Sequence, residues 1–234
     1  MLMEKRFQEI LRILEEQGTV SVQDLTESLD ASEATIRRDL SQLAQMGKLK
    51  KIYGGAASLE TGYQTREIRV EERQELYVEE KKQIAKYAAS LIEPGDFVYV
   101  DAGSSTEYLV EYIEERDASY VTNSMSHALK LAGRGMKVSI LGGNVKGTTE
   151  AVVGADAMET LRRYHFTRGF WGADGIRKKE GCTTPEMEEA AVKRLSMKQT
   201  RECYVLCDGS KFGKIAQVTF AELADVTVIT AGLK

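Results

Sequence analysis

Ser32-Glu33-Ala34-Thr35-Ile36-Arg37-Arg38-Asp39-Leu40, followed by Lys50-Lys51-Ile52-Tyr53-Gly54-Gly55-Ala56, is the part of this chain that decides its fold. Ser32 is a natural helix N-cap, and Ile36, Leu40, Leu43 and Met46 form one apolar stripe that is expected to point inward. A rotation of about 100° per residue then turns Ala34, Arg38, Ser41 and Gln45 outward, flanked by Thr35, Arg37 and Gln42. Such a small and basic helix face suits a DNA major groove, where arginine reaches guanine edges and hydroxyls or amides reach bases and phosphates. After a turn at Gly47, residues 48–52 and 56–58 predict a two-stranded wing whose tip is Tyr53-Gly54-Gly55, with glycine permitting a tight turn and close approach.

Working back from that stretch, Phe7, Ile10, Leu11 and Leu14 keep the spacing of one helical stripe, and Gly18 is expected to end that helix. Val20 reads as a short strand. Ser21 caps a second helix with Asp24 three positions on, and Val22, Leu25 and Leu29 form its inner face. Three helices and a basic wing specify a winged helix-turn-helix. The residues expected to meet DNA are Ser32, Ala34, Thr35, Arg37, Arg38, Ser41, Lys51, Tyr53, Gly54 and Gly55.

The chain has 234 residues and a formal net charge of −4, so any nucleic-acid contact must come from a local patch. Arg37, Arg38, Lys48, Lys50 and Lys51 supply one against the single acid Asp39, while residues 1–30 lean acidic. The small domain is therefore polarised, as a phosphate-facing surface requires.

Residues 59–80 are polar and charge-dense and read as a linker. A different pattern begins at Lys82: a helix carrying Ile84, Ala88 and Leu91, then the strand-forming run Phe97-Val98-Tyr99-Val100 after Pro94-Gly95. Helical segments at 106–113 and 126–132 alternate with short strands at 120–122 and 138–141. A further strand is expected around Phe170-Trp171, a helix from Thr183 or Thr184 with Pro185, and a strand ending at Asp208. Strands of this length separated by helices predict a mostly parallel sheet with helices on its faces. Ligands of such sheets bind beyond the strands' carboxyl ends.

The residues at those ends suit an anion. Asp101, Gly103, Ser104, Ser105 and Thr106 follow one strand, Thr122, Asn123 and Ser124 the next, and Gly142 and Gly143 a third. Glycine exposes backbone N–H groups, hydroxyls add donors and a helix N-terminus adds partial positive charge, which together cradle phosphate. Lys193 and Lys211 are positioned to neutralise it, and Asp174, Asp208 and Asp101 to accept hydrogen bonds from sugar hydroxyls. Glu189 and Arg194 read as surface charges, and His127 receives no role.

Cys182, Cys203 and Cys207 are an odd number with no second pair to complete a zinc site, so they read as buried thiols in a reducing cytosol. Met1-Leu2-Met3 is too soon charged for a signal peptide, and no apolar run approaches membrane-spanning length. The expectation is a cytoplasmic protein with no catalytic residue, metal or cofactor.

The first ~57 residues resemble the DeoR family of bacterial transcriptional regulators. The likeness rests on Arg6-Phe7, Ile10-Leu11, Gly18-Thr19-Val20-Ser21-Val22, Leu25, Ser32, Thr35-Ile36-Arg37-Arg38-Asp39-Leu40, Gly47, Leu49 and Gly54-Gly55-Ala56. Tyr53 departs from it, since histidine commonly precedes those glycines. The remainder resembles the family's sensor domain, related to ribose-5-phosphate isomerase and coenzyme A transferases. There it rests on Asp101, Gly103-Ser104-Ser105-Thr106, Val121-Thr122-Asn123-Ser124, Leu141-Gly142-Gly143, Gly172, Gly175-Ile176, Gly181, Thr183-Thr184, Glu189-Ala190, Lys193 and Asp208 with Ser210-Lys211-Phe212-Gly213. Ser104-Ser105 and Trp171 depart from the commoner residues and could reshape the pocket.

The resemblance implies a repressor of a sugar-metabolism operon that leaves double-stranded operator DNA when a phosphorylated sugar binds. An oligomer of identical chains is expected, because linked copies raise operator affinity. Two alternatives stand beside this: an activator with the same effector class, and a sugar-phosphate isomerase with a DNA-binding appendage. Asp174 suits the isomerase, but Arg177-Lys178-Lys179-Glu180-Gly181 is not the lysine- and glycine-rich segment an isomerase needs. The organisation read from the chain is a small α+β winged helix-turn-helix domain at 1–58, a charged linker at 59–80 and an α/β domain with a mostly parallel sheet at 81–234.

Overall fold

A computed structural model describes residues 3–17, 19–58, 63–64 and 70–231. The first helix, α1 (Met3–Gln17), is followed by β1 (Thr19–Ser21), α2 (Val22–Leu29), α3 (Glu33–Gln45), β2 (Leu49–Ile52) and β3 (Gly55–Ser58). Gly18 and residues 59–62 and 65–69 of the expected linker lie outside the described residues.

The local chemistry sets the boundaries of these helices. Ser21 accepts the Asp24 N–H while Asp24 reaches back to the Ser21 backbone, a reciprocal cap on α2. Asp30 closes that helix in the left-handed region, which aspartate tolerates. Ser32 accepts the Thr35 N–H and starts α3. Ile10, Leu14, Leu25, Ile36, Leu40 and Leu43 then bury one core under the sheet β1-β3-β2. Met46 departs from the expected stripe: the helix ends at Gln45, and the Met46 side chain is 62% exposed.

The second domain continues with β4 (Tyr63–Gln64), α4 (Val70–Gln74), α5 (Val78–Ala89), β5 (Phe97–Val100), α6 (Ser104–Tyr112), β6 (Ser119–Thr122), α7 (Met125–Gly133) and β7 (Lys137–Ile140). Next come the short hairpin β8 (Asn144–Val145) and β9 (Val152–Val153), then α8 (Ala155–Leu161), β10 (Phe166–Gly172), β11 (Gly175–Arg177), β12 (Gly181–Thr184) and α9 (Met187–Lys198). The described chain closes with β13 (Thr200–Leu206), β14 (Ile215–Ala216), β15 (Val218–Ala221) and β16 (Thr227–Ile229). The helix expected from Thr183 or Thr184 starts later, at Met187, because Gly181–Thr184 pair as a strand with β11 and β15.

The main sheet has six strands in the order β16-β13-β10-β5-β6-β7, and every neighbouring pair in it is parallel. Strand alternation splits its side chains between two cores. Val98, Val100, Tyr120 and Phe170 pack with α5, α6 and α7, while Tyr99, Val121 and Trp171 pack with α8 and α9. Burial on both faces is what a parallel sheet requires. At the strands' amino-terminal end, Arg168 ties together Glu93, Asp96 and Glu202.

The chain builds outward from β5 through β6 to β7, then returns to lay β10 on the other side of β5. The carboxyl ends of β5 and β10 therefore diverge at a topological switch point, where α/β sheets open a crevice.

Candidate functional site

On the DNA-binding domain, Glu33, Ala34, Arg37 and Arg38 are exposed along α3. Arg37 pairs with Glu33 at 3.2 Å one turn earlier, whereas the Arg38 guanidinium has no partner among the described residues. Ser32 and Thr35 share a hydrogen bond of 2.9 Å within the cap. Ser41 donates to the Arg37 carbonyl at 2.7 Å and accepts from Lys51 at 3.0 Å, so the wing is tied to the basic helix. Tyr53 stands fully exposed at the wing tip, and Gly54 beside it takes φ +77. Gly55 is buried instead: a Cβ there would lie 2.0 Å from the Val20 carbonyl oxygen. Its part is to let β3 close on β1.

In the second domain a narrow cleft, its enclosed space only about 20 Å³, lies at the switch point between β5 and β10. Its walls bring together Gly103 from the loop after β5, Ser104 and Ser105 from the first turn of α6, Asp174 from the loop after β10, Lys193 from α9 and Lys211 from the loop after β13. Gly103 caps α6 without a side chain, so the first amides of that helix are open to an anion. Among the described residues neither the Ser104 nor the Ser105 hydroxyl has a hydrogen-bond partner. Thr106 is buried and turned back to the Gly103 carbonyl.

Lys193 is buried, hydrogen-bonds Asp101 and donates to the Gly172 carbonyl at 3.2 Å. Burial raises the Asp101 carboxyl above its ordinary value against the pull of that ammonium. Asp174 accepts from Arg73 at 2.6 Å and from Thr184 at 3.2 Å. The Lys211 ammonium has no carboxylate partner among the described residues. Asp208 does not line the cleft; it caps the turn at Ser210 and stays buried beneath Lys211.

The other two loops support the site and do not line it. Asn123 accepts the Ala102 N–H at 2.8 Å and donates to the Val152 carbonyl, which fixes the loop after β5. Thr122 accepts the Ser124 N–H, and Ser124 caps α7 through the His127 N–H. Gly142 and Gly143 lead into the β8–β9 hairpin, whose tip contributes Thr149 to the cleft. Trp171 has no part in the pocket: it is fully buried and donates its indole N–H to Ser196 at 3.0 Å.

Three residues in or beside the site, Glu189, Arg73 and Lys81, were not expected from sequence to serve it. Glu189, read as a surface charge, is buried in the cleft, where it accepts from Thr149 at 2.6 Å and pairs with Lys146 at 3.2 Å. Its four-residue spacing from Lys193 puts both on one helix face, a signal that could have found it. Arg73 comes from the charge-dense stretch read as a linker, and Lys81 is the first residue after it. Lys81 is 2% exposed and donates to the Arg73 carbonyl; burial brings its ammonium down to about 8, against the pull of Asp208.

Comparison with known proteins settles the family. Residues 6–62 match the DeoR-like helix-turn-helix domain, and residues 77–232 match the DeoR C terminal sensor domain. The chain belongs to the DeoR family. It is 38% identical to the uncharacterized HTH-type transcriptional regulator FruR of Bacillus subtilis over 235 residues, covering 98% of this chain and 91% of that protein. The lactose phosphotransferase system repressor of Streptococcus mutans is 32% identical over 229 residues, covering 97% and 90%. Among solved structures, ribose 5-phosphate isomerase A of Methanocaldococcus jannaschii aligns with a TM-score of 0.42 at 16% identity, over 56% of this chain and 52% of that one. A DeoR DNA-binding domain joined to a DeoR sensor domain makes the protein a DNA-binding transcriptional regulator. The isomerase alternative gives way to that membership, and Asp174, its candidate base, is held by Arg73 and Thr184. No helix among the described residues is long and apolar enough to cross a membrane.

Proposed function

We propose that this DeoR-family regulator is a cytoplasmic repressor of sugar-metabolism genes, and that a phosphorylated sugar entering the cleft between β5 and β10 releases it from operator DNA. The observation that carries this reading is the pairing of an open helix N-terminus, Gly103-Ser104-Ser105, with Lys193 and Lys211 at the sheet's switch point. Backbone N–H groups, two hydroxyls and two ammonium groups form a phosphate seat. Asp174 and Glu189, also in the lining, present carboxylate oxygens of the kind that accept hydrogen bonds from sugar hydroxyls.

Repression as the sign of regulation is supported by relatives named lactose phosphotransferase system repressors. The exposed Arg38, with Arg37 and the wing, is the surface offered to DNA. Several identical chains acting together give such a small reading head useful affinity. A thermal-shift screen against pentose and hexose phosphates and the matching free sugars tests the effector class. Stabilisation by phosphates alone is the expected result, through preferential binding to the folded state. Equal responses to both sets would reject the phosphate seat. Transcription from the promoter whose DNA the chain binds, measured with and without the protein and the stabilising compound, tests the sign.

A further inference from the structure

One wall of the cleft belongs to the segment that leads from the DNA-binding domain. Arg73 sits on α4, the first helix after that segment, and reaches into the cleft to Asp174 at 2.6 Å. Its Nε is buried without a partner. The short helix around it is held at three points. The Val70 N–H donates to the Thr148 carbonyl at 3.2 Å, the Tyr108 hydroxyl donates to the Gln74 carbonyl at 3.0 Å, and Lys81 donates to the Arg73 carbonyl. Upstream, β4 adds to β14 in parallel, with Tyr63 opposite Ile215.

Those anchors connect to the effector site itself. Thr148 precedes Thr149 in the cleft wall, Tyr108 lies on the helix that begins at Ser104, and Ile215 follows the loop carrying Lys211. Arg73 therefore joins the site to the interdomain segment through one side chain. Its guanidinium is a planar fork suited to phosphate, and a phosphoryl dianion is a stronger acceptor than one carboxylate oxygen. Asp174 retains its Thr184 hydrogen bond at 3.2 Å when Arg73 leaves.

We propose that the effector's phosphoryl group takes Arg73 from Asp174, and that this change of partner repositions α4 and so transmits occupancy of the cleft toward the DNA-binding domain. The inference rests on the phosphate-seat reading above and adds Arg73 to it, with Asp174 as the rival acceptor. A ligand shifts a conformational equilibrium only by its differential contacts with the two states, and Arg73 supplies such a contact.

The test uses the full chain titrated with inorganic phosphate at constant ionic strength, read by melting temperature and by amide exchange of residues 70–76. Arg73→Ala is expected to weaken phosphate-dependent stabilisation by about ten- to a hundredfold in phosphate concentration, with Arg73→Lys falling between it and wild type. Asp174→Asn, which removes the rival, is expected to respond at lower phosphate concentration than wild type. Phosphate is expected to alter amide exchange over 70–76 in wild type and not in Arg73→Ala. A response in Arg73→Ala equal to wild type, an Asp174→Asn variant no more sensitive than wild type, or unaltered exchange over 70–76 would each overturn the proposal. Lys211→Met separates the two readings: if it loses the response while Arg73→Ala keeps it, the seat stands and the exchange is wrong. Wild type without any phosphate response sinks both.

Discussion

Asp39, on the basic helix, is 2% exposed and grips Arg6 of α1 through both carboxylate oxygens. The acid that interrupts the cationic stretch therefore points inward and locks the reading helix to the first one. Asp39 is buried but Arg6 is only partly so, and losing a charge-assisted pair of this kind costs about 2 kcal/mol. Asp39→Ala is expected to lower the unfolding free energy of the DNA-binding domain by that amount in denaturant titration. A variant as stable as wild type would reduce the pair to decoration.

Arg37 and Arg38 are adjacent but differ in their surroundings, since only Arg37 has a glutamate one turn away. Arg38→Ala is expected to cost ~1–3 kcal/mol of specific operator affinity and to reduce the salt dependence of binding by about one phosphate contact. Arg37→Ala should cost less. Gel-shift titrations at several salt concentrations check both, and identical slopes for Arg38→Ala and wild type would remove it from the interface.

The Lys193–Asp101 pair is buried on both sides. Lys193→Met strands the carboxylate and is expected to destabilise the sensor domain by about 3 kcal/mol. The double variant Asp101→Asn/Lys193→Met should recover most of that stability while remaining blind to sugar phosphates. Full effector binding by the double variant would show that the ammonium plays no part in the seat.

Glu107, one turn into α6, accepts from His127 and Lys130, each at 2.6 Å. Burial alone would raise its carboxyl, yet these two donors prevail and bring it from 4.5 to about 2. A carboxyl depressed on folding contributes fully above its unfolded value and loses that contribution as the pH falls toward the folded one. Stability on the order of 3 kcal/mol should therefore vanish between about pH 4.5 and pH 2. Glu107→Gln should flatten acid unfolding over that window, and an unchanged profile would refute the assignment.

How far the sequence could be read depended on how local each signal was. The caps at Ser21 and Ser32, the helix stripes and the four-residue strands are short-range patterns, and they placed both domains and the sheet's parallel character. Ser104, Ser105 and Lys211 could be expected in the cleft wall because strand ends mark the crevice, whereas Lys193 reaches it from the middle of α9. Arg73 could not, because its segment carries no apolar periodicity and its role depends on a contact with Asp174, a hundred and one positions away. Thr122 and Asn123 were misjudged for a related reason: a polar residue at a strand end can brace a loop as readily as bind a guest, and only the Asn123 contact to Ala102 distinguishes the two.

The charges around the cleft largely cancel one another before any guest arrives, Arg73 with Asp174, Lys193 with Asp101 and Lys146 with Glu189. A resting sensor built this way casts little long-range field. On the reading proposed above, an effector gains by replacing those internal partners, so selectivity rests on substitution of contacts more than on attraction at a distance.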